Sequence, residues 1–391
     1  MGGAVFPRAS TTSRRIEEHD LAGQSASRGV VVSYEDLDPP SHEASTRIEI
    51  AKKLAALKGY AFAGRFDRNT PYPGPVYHVP SATLVGTKAA RDIGICGEHD
   101  LFGGVVPFGF VATKAITHPL VTPEADAPSG WSHAFPETVR HVVLSGYTAF
   151  TPQDALRAGG RLLESGNVRV KPVRAEGAHG QMVVSSTREL ESAIAAIDGS
   201  EISHGVVLEE DLTDVTTCSV GRMVVGDLLA TYVGTQRLTT DNRGEVTYGG
   251  STLFVARGDF DELLASGHSA QTQLAVAQAR AYDAAANVNF RELIASRRNY
   301  DVAQGFDAGG RRRSGVLEQS WRIGGATGAE IVALEALHAD PALRAVEASC
   351  IEIFGEGVSP PDHAFVYFQG VDRTVGPLTK YAVVEKRHYA E

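Results

Sequence analysis

The stretch from Thr217 to Ala256 restricts the fold more than any other part of the chain. It reads TCSVGRMVVGDLLATYVGTQRLTTDNRGEVTYGGSTLFVA. Turn residues at Gly226–Asp227 and at Asp241–Gly244 separate three runs that are rich in β-branched and apolar residues. Strands that follow one another through such short turns pair antiparallel. The sequence therefore predicts an antiparallel meander here.

Strands and helices alternate in the rest of the chain. GVVVSYE (29–35) is predicted to be a buried strand, and the helical spacing of Ile48, Ile50, Leu54 and Leu57 indicates a helix that stops at Gly59. Further strands are predicted in YAFAGRF and GPVYHVPSATLV. Strand, helix and strand in this order are typical of an α/β domain.

Composition excludes several classes of protein. The chain has 391 residues, a formal net charge of −10 and 43% hydrophobic residues, so a basic nucleic-acid surface is not expected. No apolar run approaches the roughly 20 residues that span a bilayer. The three cysteines, Cys96, Cys218 and Cys350, are far apart, which argues against a disulfide framework and favours free, buried thiols. Residues 1–28 are expected to be disordered, and a cytoplasmic location is the default expectation.

A set of charged residues, well separated in sequence, suggests a phosphate site. Lys171 ends a predicted strand just before a loop that contains Gly177 and Gly180, and a later strand ends in Glu209–Glu210. A predicted hairpin then presents Asp301 on one strand and Glu318 on the other. A lysine can neutralise phosphate oxygens, a glycine-rich loop lets backbone amides approach them, and two facing carboxylates can hold Mg²⁺.

The usual nucleotide-binding motifs are not found. The chain lacks GxxxxGK[ST], and no GxGxxG follows the first strand. The P-loop and Rossmann hypotheses therefore lose support.

Residues from about 145 to 335 resemble the ATP-grasp superfamily of carboxylate–amine ligases, and most closely an uncharacterised bacterial branch. The resemblance lies in RVKP…EGAHGQ, in VVLEEDL followed by the meander, and above all in YDV…GVLEQSWRIGGAT. It implies an α/β (α+β) fold in which an N-terminal α/β domain precedes the ATP-grasp domain. It also implies ATP and Mg²⁺ as cofactors.

The resemblance implies a role for each matching residue. Lys171 would contact the α- and β-phosphates, and residues 175–181 would form a flap over them. The adenine would meet the hinge around Glu209. Arg322 would face the phosphate or acyl phosphate, and with Lys171 it is the predicted catalytic pair. The complete set of predicted cofactor contacts is Lys171, Glu176, Gly177, His179, Gly180, Glu209, Glu210, Leu212 and Arg298.

The predicted metal ligands are Asp301, Glu318 and Ser320. Ser320 stands where the family has an asparagine, and Thr216 stands where the family has an acid that binds the ribose. For the first of the two usual ATP lysines, the sequence leaves Lys114 and Arg140 as alternatives.

The domain scheme follows from the same resemblance. It places an N-terminal α/β domain at 29–130 and an ATP-grasp domain at 131–391. Within the latter, a lid subdomain is expected at about 145–255 and a metal-binding core at about 256–391.

The expected function is Mg²⁺-dependent ligation of a carboxylate to an amine-type nucleophile through an acyl phosphate. The alternatives are a small-molecule kinase on the same fold and a degenerate ATP-binding protein without ligase activity. The expected partners are small-molecule carboxylate and amine substrates, with neither nucleic acid nor membrane. A homodimer is left open as the assembly.

Overall fold

The computed structural model describes residues 28–35, 41–174 and 180–389. Apart from Arg28, the segment predicted to be disordered lies outside these residues. The strands are Val30–Ser33 (β1), Ala61–Arg65 (β2), Val76–Val79 (β3), Leu84–Val85 (β4), Gly104–Val106 (β5), Gly146–Ala149 (β6), Val168–Pro172 (β7), Met182–Val184 (β8), Val206–Glu210 (β9), Thr213–Val225 (β10), Leu228–Thr240 (β11), Val246–Arg257 (β12), Ile294–Ala295 (β13), Arg297–Phe306 (β14), Arg312–Ser320 (β15), Leu343–Phe354 (β16), Phe365–Asp372 (β17) and Gly376–Tyr389 (β18). The α-helices are His42–Lys58 (α1), Thr87–Arg91 (α2), Ala134–Val139 (α3), Pro152–Leu163 (α4), Thr187–Ala196 (α5), Gly199–Ile202 (α6), Phe260–Leu264 (α7), Ala270–Asn289 (α8) and Thr327–Ala339 (α9).

The N-terminal unit is a parallel sheet with the strand order β2-β1-β3, covered by α1. Helix α1 begins where the Ser41 hydroxyl accepts a hydrogen bond from the amide of Ala44, and it ends at Gly59, whose φ is 63°. A side chain at this left-handed φ would be strained, so glycine ends the helix cleanly. The predicted strand, helix and strand are all present.

Two antiparallel sheets dominate the rest of the chain. The small sheet has the order β6-β9-β7-β8, and the large sheet has the order β15-β14-β10-β11-β12-β16-β18-β17. Strands β10, β11 and β12 pair antiparallel in sequence, so the predicted meander is confirmed.

The strands within residues 145–255 belong to both sheets. Strands β10 to β12 pair with β14 and β16 in the large sheet, whereas the small sheet ends with Glu210. The outer edges of β10 and β12 thus satisfy their backbone groups against β14 and β16.

The hydrophobic core ties the N-terminal unit to the large sheet. One buried cluster contains Ile50 and Leu54 of α1 together with Leu253 of β12, Leu334 of α9 and Val346 of β16. The N-terminal unit and the large sheet therefore share one core. A separate cluster, which includes Val168, Val170 and Leu208, holds α4 and α5 against the small sheet.

The three cysteines are free, and Cys218 and Cys350 are buried as predicted, whereas Cys96 is exposed. Across the part of the chain that the structure describes, no helix is long and apolar enough to cross a membrane.

Candidate active site

A cavity of about 850 Å³ lies between the small sheet, the large sheet and the first turn of α1. We call it the main cavity. Most of the predicted site residues line it: Lys171, Glu209, Glu210, Leu212, Asp301, Glu318, Ser320 and Arg322.

On the small-sheet side, the main cavity presents a buried cation that is already paired. The Lys171 Nζ donates to Glu209 Oε1 at 2.5 Å, and the other carboxylate oxygen of Glu209 lies 3.2 Å from His118 Nε2. All three side chains are at most 4% exposed. His118 was not predicted from the sequence.

Strand pairing explains this contact. In the antiparallel pair of β7 and β9, Lys171 lies opposite Val207 and Arg169 lies opposite Glu209. Lys171 and Glu209 are therefore diagonal neighbours on the face of the small sheet that lines the cavity.

Glu209 is held in its charged form. Burial disfavours the carboxylate, but the neighbouring Lys171 and the hydrogen bond to His118 outweigh it and lower the pKa of Glu209 to about 2. The carboxylate, predicted to meet adenine, is thus engaged by Lys171 and His118.

On the large-sheet side, every second residue of β14 faces the cavity, because successive side chains of a strand alternate between its two faces. Arg297, Asn299 and Asp301 line the cavity. Arg298 points to the other face, where its Nη1 donates to Asp283 Oδ1 at 2.8 Å. The predicted cofactor contact from Arg298 is therefore corrected: on β14 it is Arg297, not Arg298, that lines the cavity.

Asp301 and Glu318 lie directly opposite each other in the pair of β14 and β15. Burial and the like charge of Glu318 raise the pKa of Asp301, although hydrogen bonds from Ser219 and Asn299 partly oppose this. The Ser219 hydroxyl donates to Asp301 Oδ1 at 2.8 Å, and the Asn299 amide donates to the same atom at 3.1 Å. The arrangement holds two acids close together where a cation would relieve their repulsion.

These acids are few for a metal site made by protein alone. Within the described ranges, no group of three or more His, Cys, Asp or Glu side chains is placed to hold a metal ion. Mg²⁺ commonly uses one or two carboxylates and completes its shell with water and phosphate, so the pair fits that ion.

Lys114 and Arg140, the two candidates for a second cation, lie in different places. The Lys114 side chain is 7% exposed, lines the main cavity and lies 2.8 Å from Glu318 Oε2. The Arg140 side chain is 80% exposed, pairs with Glu137 and does not line the main cavity. The geometry favours Lys114.

The segment after β15 carries Arg322, Gly324 and Gly325 along the cavity wall. Arg297 holds this segment, because its Nη1 donates to the Arg322 carbonyl at 2.6 Å while its Nη2 pairs with Glu330 at 2.6 Å.

Of the remaining residues that the sequence singled out, some lie at the main cavity and others do not. Leu212 is buried at the cavity wall, and the Glu210 carboxylate accepts from Arg313 at 2.7 Å. Thr216 is exposed and is not among the residues that line the cavity, whereas its neighbour Thr217 is.

The predicted flap lies largely outside the described residues. Glu176, Gly177 and His179 fall there. Gly180 is exposed.

Comparisons with known proteins give a family and a set of similar structures. A family model described as "Protein of unknown function (DUF3182)" matches residues 30–382. A search of curated proteins finds no match.

Three solved structures illustrate the likeness. D-alanyl-alanine synthetase A from Vibrio cholerae is 11% identical, with 77% of this chain and 90% of that chain covered and a TM-score of 0.46. The biotin carboxylase domain of the Hydrogenobacter thermophilus 2-oxoglutarate carboxylase, in complex with MgADP, is 12% identical, with 91% and 86% covered and a TM-score of 0.49. Carboxyaminoimidazole ribonucleotide synthase from Aspergillus clavatus, complexed with ATP, is 13% identical, with 92% and 94% covered and a TM-score of 0.48.

The mixed α/β architecture that the sequence predicts is confirmed. A small antiparallel sheet and a large one enclose a cleft, and an N-terminal parallel unit precedes them. A likeness at this level of identity concerns the fold and does not identify a substrate.

Proposed function

The chain belongs to the family DUF3182, and we propose that it is an ATP-dependent ligase that joins a carboxylate to an amine-type nucleophile. One observation carries the proposal. Lys171 from the small sheet and Asp301 and Glu318 from the large sheet line the same cavity, although they are far apart in sequence.

The cations of the cavity suit a triphosphate. Lys171 and Lys114 would neutralise phosphate oxygens, and both are held in place by carboxylates, Glu209 and Glu318. Fixed cations in a site shielded from water stabilise negative charge without reorganising during the reaction. The adenine would lie against Leu212 at the end of the small sheet.

The acid pair suits Mg²⁺. Asp301, Glu318 and the hydroxyl of Ser320 would hold it, and the ion when bound would neutralise and orient the phosphate oxygens. Asn299 and Ser219 would keep the Asp301 carboxylate oriented by their hydrogen bonds to Oδ1.

The proposed reaction has two steps. A carboxylate oxygen of the acid attacks the γ-phosphorus of ATP, which forms an acyl phosphate and releases ADP. The amine then attacks the acyl carbon, phosphate leaves with the bonding electrons, and the nitrogen loses a proton. Arg322 would neutralise the transferred phosphoryl group. The protein supplies mainly position and charge.

Product analysis tests the proposal. The purified protein is incubated with MgATP and pools of carboxylic acids and amines, and nucleotide products are separated by chromatography. We expect ADP and phosphate, formed faster when the right acid and amine are both present. AMP with pyrophosphate would contradict the proposal, and ADP with a stable phosphoester would identify a kinase instead.

A further inference from the structure

A second cavity, which we call the side cavity, lies next to the main one and is not used by the proposed reaction. Its volume is about 610 Å³, which falls in the usual range for small-molecule sites. It is formed mainly by segments 118–123 and 131–147, with Arg161 of α4 and Arg313 of β15.

The two cavities share Leu144 but differ in their charged residues. Glu209 and Glu210 line the main cavity, whereas their partners His118 and Arg313 line the side cavity. His118 Nε2 lies 3.2 Å from Glu209, and Arg313 Nη2 donates to Glu210 at 2.7 Å. The side cavity is therefore distinct from the proposed nucleotide site.

The charge of the side cavity favours an anion. Its lining contains three arginines: Arg313 is paired with Glu210 and Arg140 lies 3.9 Å from Glu137, which leaves Arg161. Arg161 donates from Nη1 to the Val121 carbonyl at 2.6 Å. No carboxylate of residues 28–35, 41–174 or 180–389 lies within ion-pairing distance of it. An arginine fork without an acidic partner is suited to a carboxylate or phosphate group.

Two polar side chains at the side cavity have buried atoms that lack a partner. Within the described part of the chain, neither His118 Nδ1 nor Trp131 Nε1 has a hydrogen-bond partner. Most buried polar atoms in proteins are hydrogen-bonded, so such atoms call for an explanation. The His118 ring packs so closely on Gly146 that a Cβ there would lie 2.8 Å from Nδ1. The ring is thus fixed by its surroundings.

Apolar surface completes the lining. Leu120, Val121, Pro136 and Leu162 also line the cavity, and the ring of Trp131 packs edge-on against Phe150. A cavity lined by both arginines and apolar side chains matches a ligand with an anionic head and an apolar body.

We propose that the side cavity binds a small organic anion, with its carboxylate or phosphate group at Arg161 and Arg140 and its apolar portion against Trp131. This site is additional to the proposed catalytic centre. Its test needs no nucleotide, so it can fail or succeed independently of the ligase proposal.

Tryptophan fluorescence can report on the side cavity. The chain has two tryptophans. Trp321 is 1% exposed and lies in the core. Trp131 lines the side cavity. The protein is titrated with hexanoate, hexyl phosphate and the neutral hexanol, which do not absorb at the excitation wavelength.

We expect a saturable change in emission with hexanoate or hexyl phosphate, and the tighter of the two identifies the head group. The change should disappear in Trp131→Phe. The midpoint should rise about tenfold in Arg161→Gln, equivalent to about 1.4 kcal/mol. It should be unchanged in Arg157→Gln, because Arg157 lies one turn earlier on the same helix and does not line the cavity.

Arg161 also supports the Val121 carbonyl, so Arg140→Gln provides a second variant at an exposed position, and a rise of its midpoint supports the proposal. The proposal is overturned if neither anion gives a saturable change, or if hexanol binds as tightly as both. It is also overturned if both arginine variants leave the midpoint where it was.

Discussion

The two walls of the main cavity treat charge in opposite ways. On the small sheet, the buried cation Lys171 and the buried anion Glu209 neutralise each other, and the pKa of Glu209 falls to about 2. On the large sheet, the anions Asp301 and Glu318 face each other, and the pKa of Asp301 rises. On the large sheet Glu318 is paired with Lys114, yet the pKa of Asp301 is still raised, so a further cation would stabilise this wall. This difference fits our proposal that the small sheet supplies a rigid contact to phosphate and that the large sheet supplies the ligands of the metal ion.

The largest effect is expected at the paired wall. Replacing Lys171 in Lys171→Met leaves Glu209 buried with only His118 as a partner, and breaking a buried ion pair costs about 3–5 kcal/mol. The free energy of unfolding, measured with urea, should fall by this amount. The double variant Lys171→Met/Glu209→Gln should recover much of the stability but none of the ADP formation. A double variant no more stable than the single one would show that the pair is not the source of the effect.

At the opposite wall, a substitution of Asp301 should reduce activity without reducing stability. Asp301→Asn removes one of two like charges but keeps an oxygen for the Ser219 and Asn299 hydrogen bonds. Without Mg²⁺ at neutral pH, the variant should unfold no more easily than the wild type. Its rate of ADP formation should drop about 10²–10³-fold, as for other losses of transition-state charge stabilisation. Asp261→Asn, an exposed change, serves as the control. An Asp301→Asn variant that loses stability but keeps full activity would contradict the assignment of Asp301 to the metal site.

The pH dependence of stability should have opposite signs at the two walls. The pKa of Glu209 is lowered from 4.5 to about 2, so its contribution, about 3 kcal/mol, is present above pH 4.5 and is lost as the pH falls towards 2. The pKa of Asp301 is raised, so its ionisation destabilises the fold as the pH rises through the folded-state value.

Unfolding free energies between pH 3 and 7 check this difference. The advantage of the wild type over Glu209→Gln should grow with pH, whereas its disadvantage against Asp301→Asn should grow with pH. If the difference in unfolding free energy from the wild type changed with pH in the same direction for both variants, the predicted difference between the two walls would be wrong.

A smaller effect is expected at Lys114, the cation that pairs with Glu318. Lys114 lies on the acid wall through Glu318, in the same cavity as Lys171. Lys114→Met should weaken MgATP binding about tenfold, equivalent to about 1.4 kcal/mol. Arg140 was the other candidate from the sequence, and the variant Arg140→Met should bind MgATP as tightly as the wild type. Equal losses in both variants would indicate a general charge effect.

The sequence predicted the strands that carry the site better than the contacts these strands make with distant segments. Strands β7, β9, β14 and β15 were expected because turn residues and alternating apolar residues mark their ends. The pairing of Asp301 with Glu318 follows from the hairpin. Local patterns of this kind are visible in a single sequence.

Contacts between distant segments were not predictable in this way. His118 reaches Glu209 across 91 positions. Strands β16, β17 and β18 were not predicted, although the alternation in AVEASCIEIF and KYAVVEKRHY carried a signal for them. Arg298 was predicted as a cofactor contact, yet counting in steps of two from Asp301 places Arg297, not Arg298, on the same face of the strand.

The most direct test of the central claim is calorimetric titration with a non-hydrolysable ATP analogue, with and without Mg²⁺. Wild-type protein should bind the analogue tightly only with Mg²⁺. Lys171→Met should weaken binding under both conditions, and Asp301→Asn should remove the benefit of Mg²⁺. Wild-type protein that binds no analogue, or variants that bind it as well as the wild type, would contradict the account.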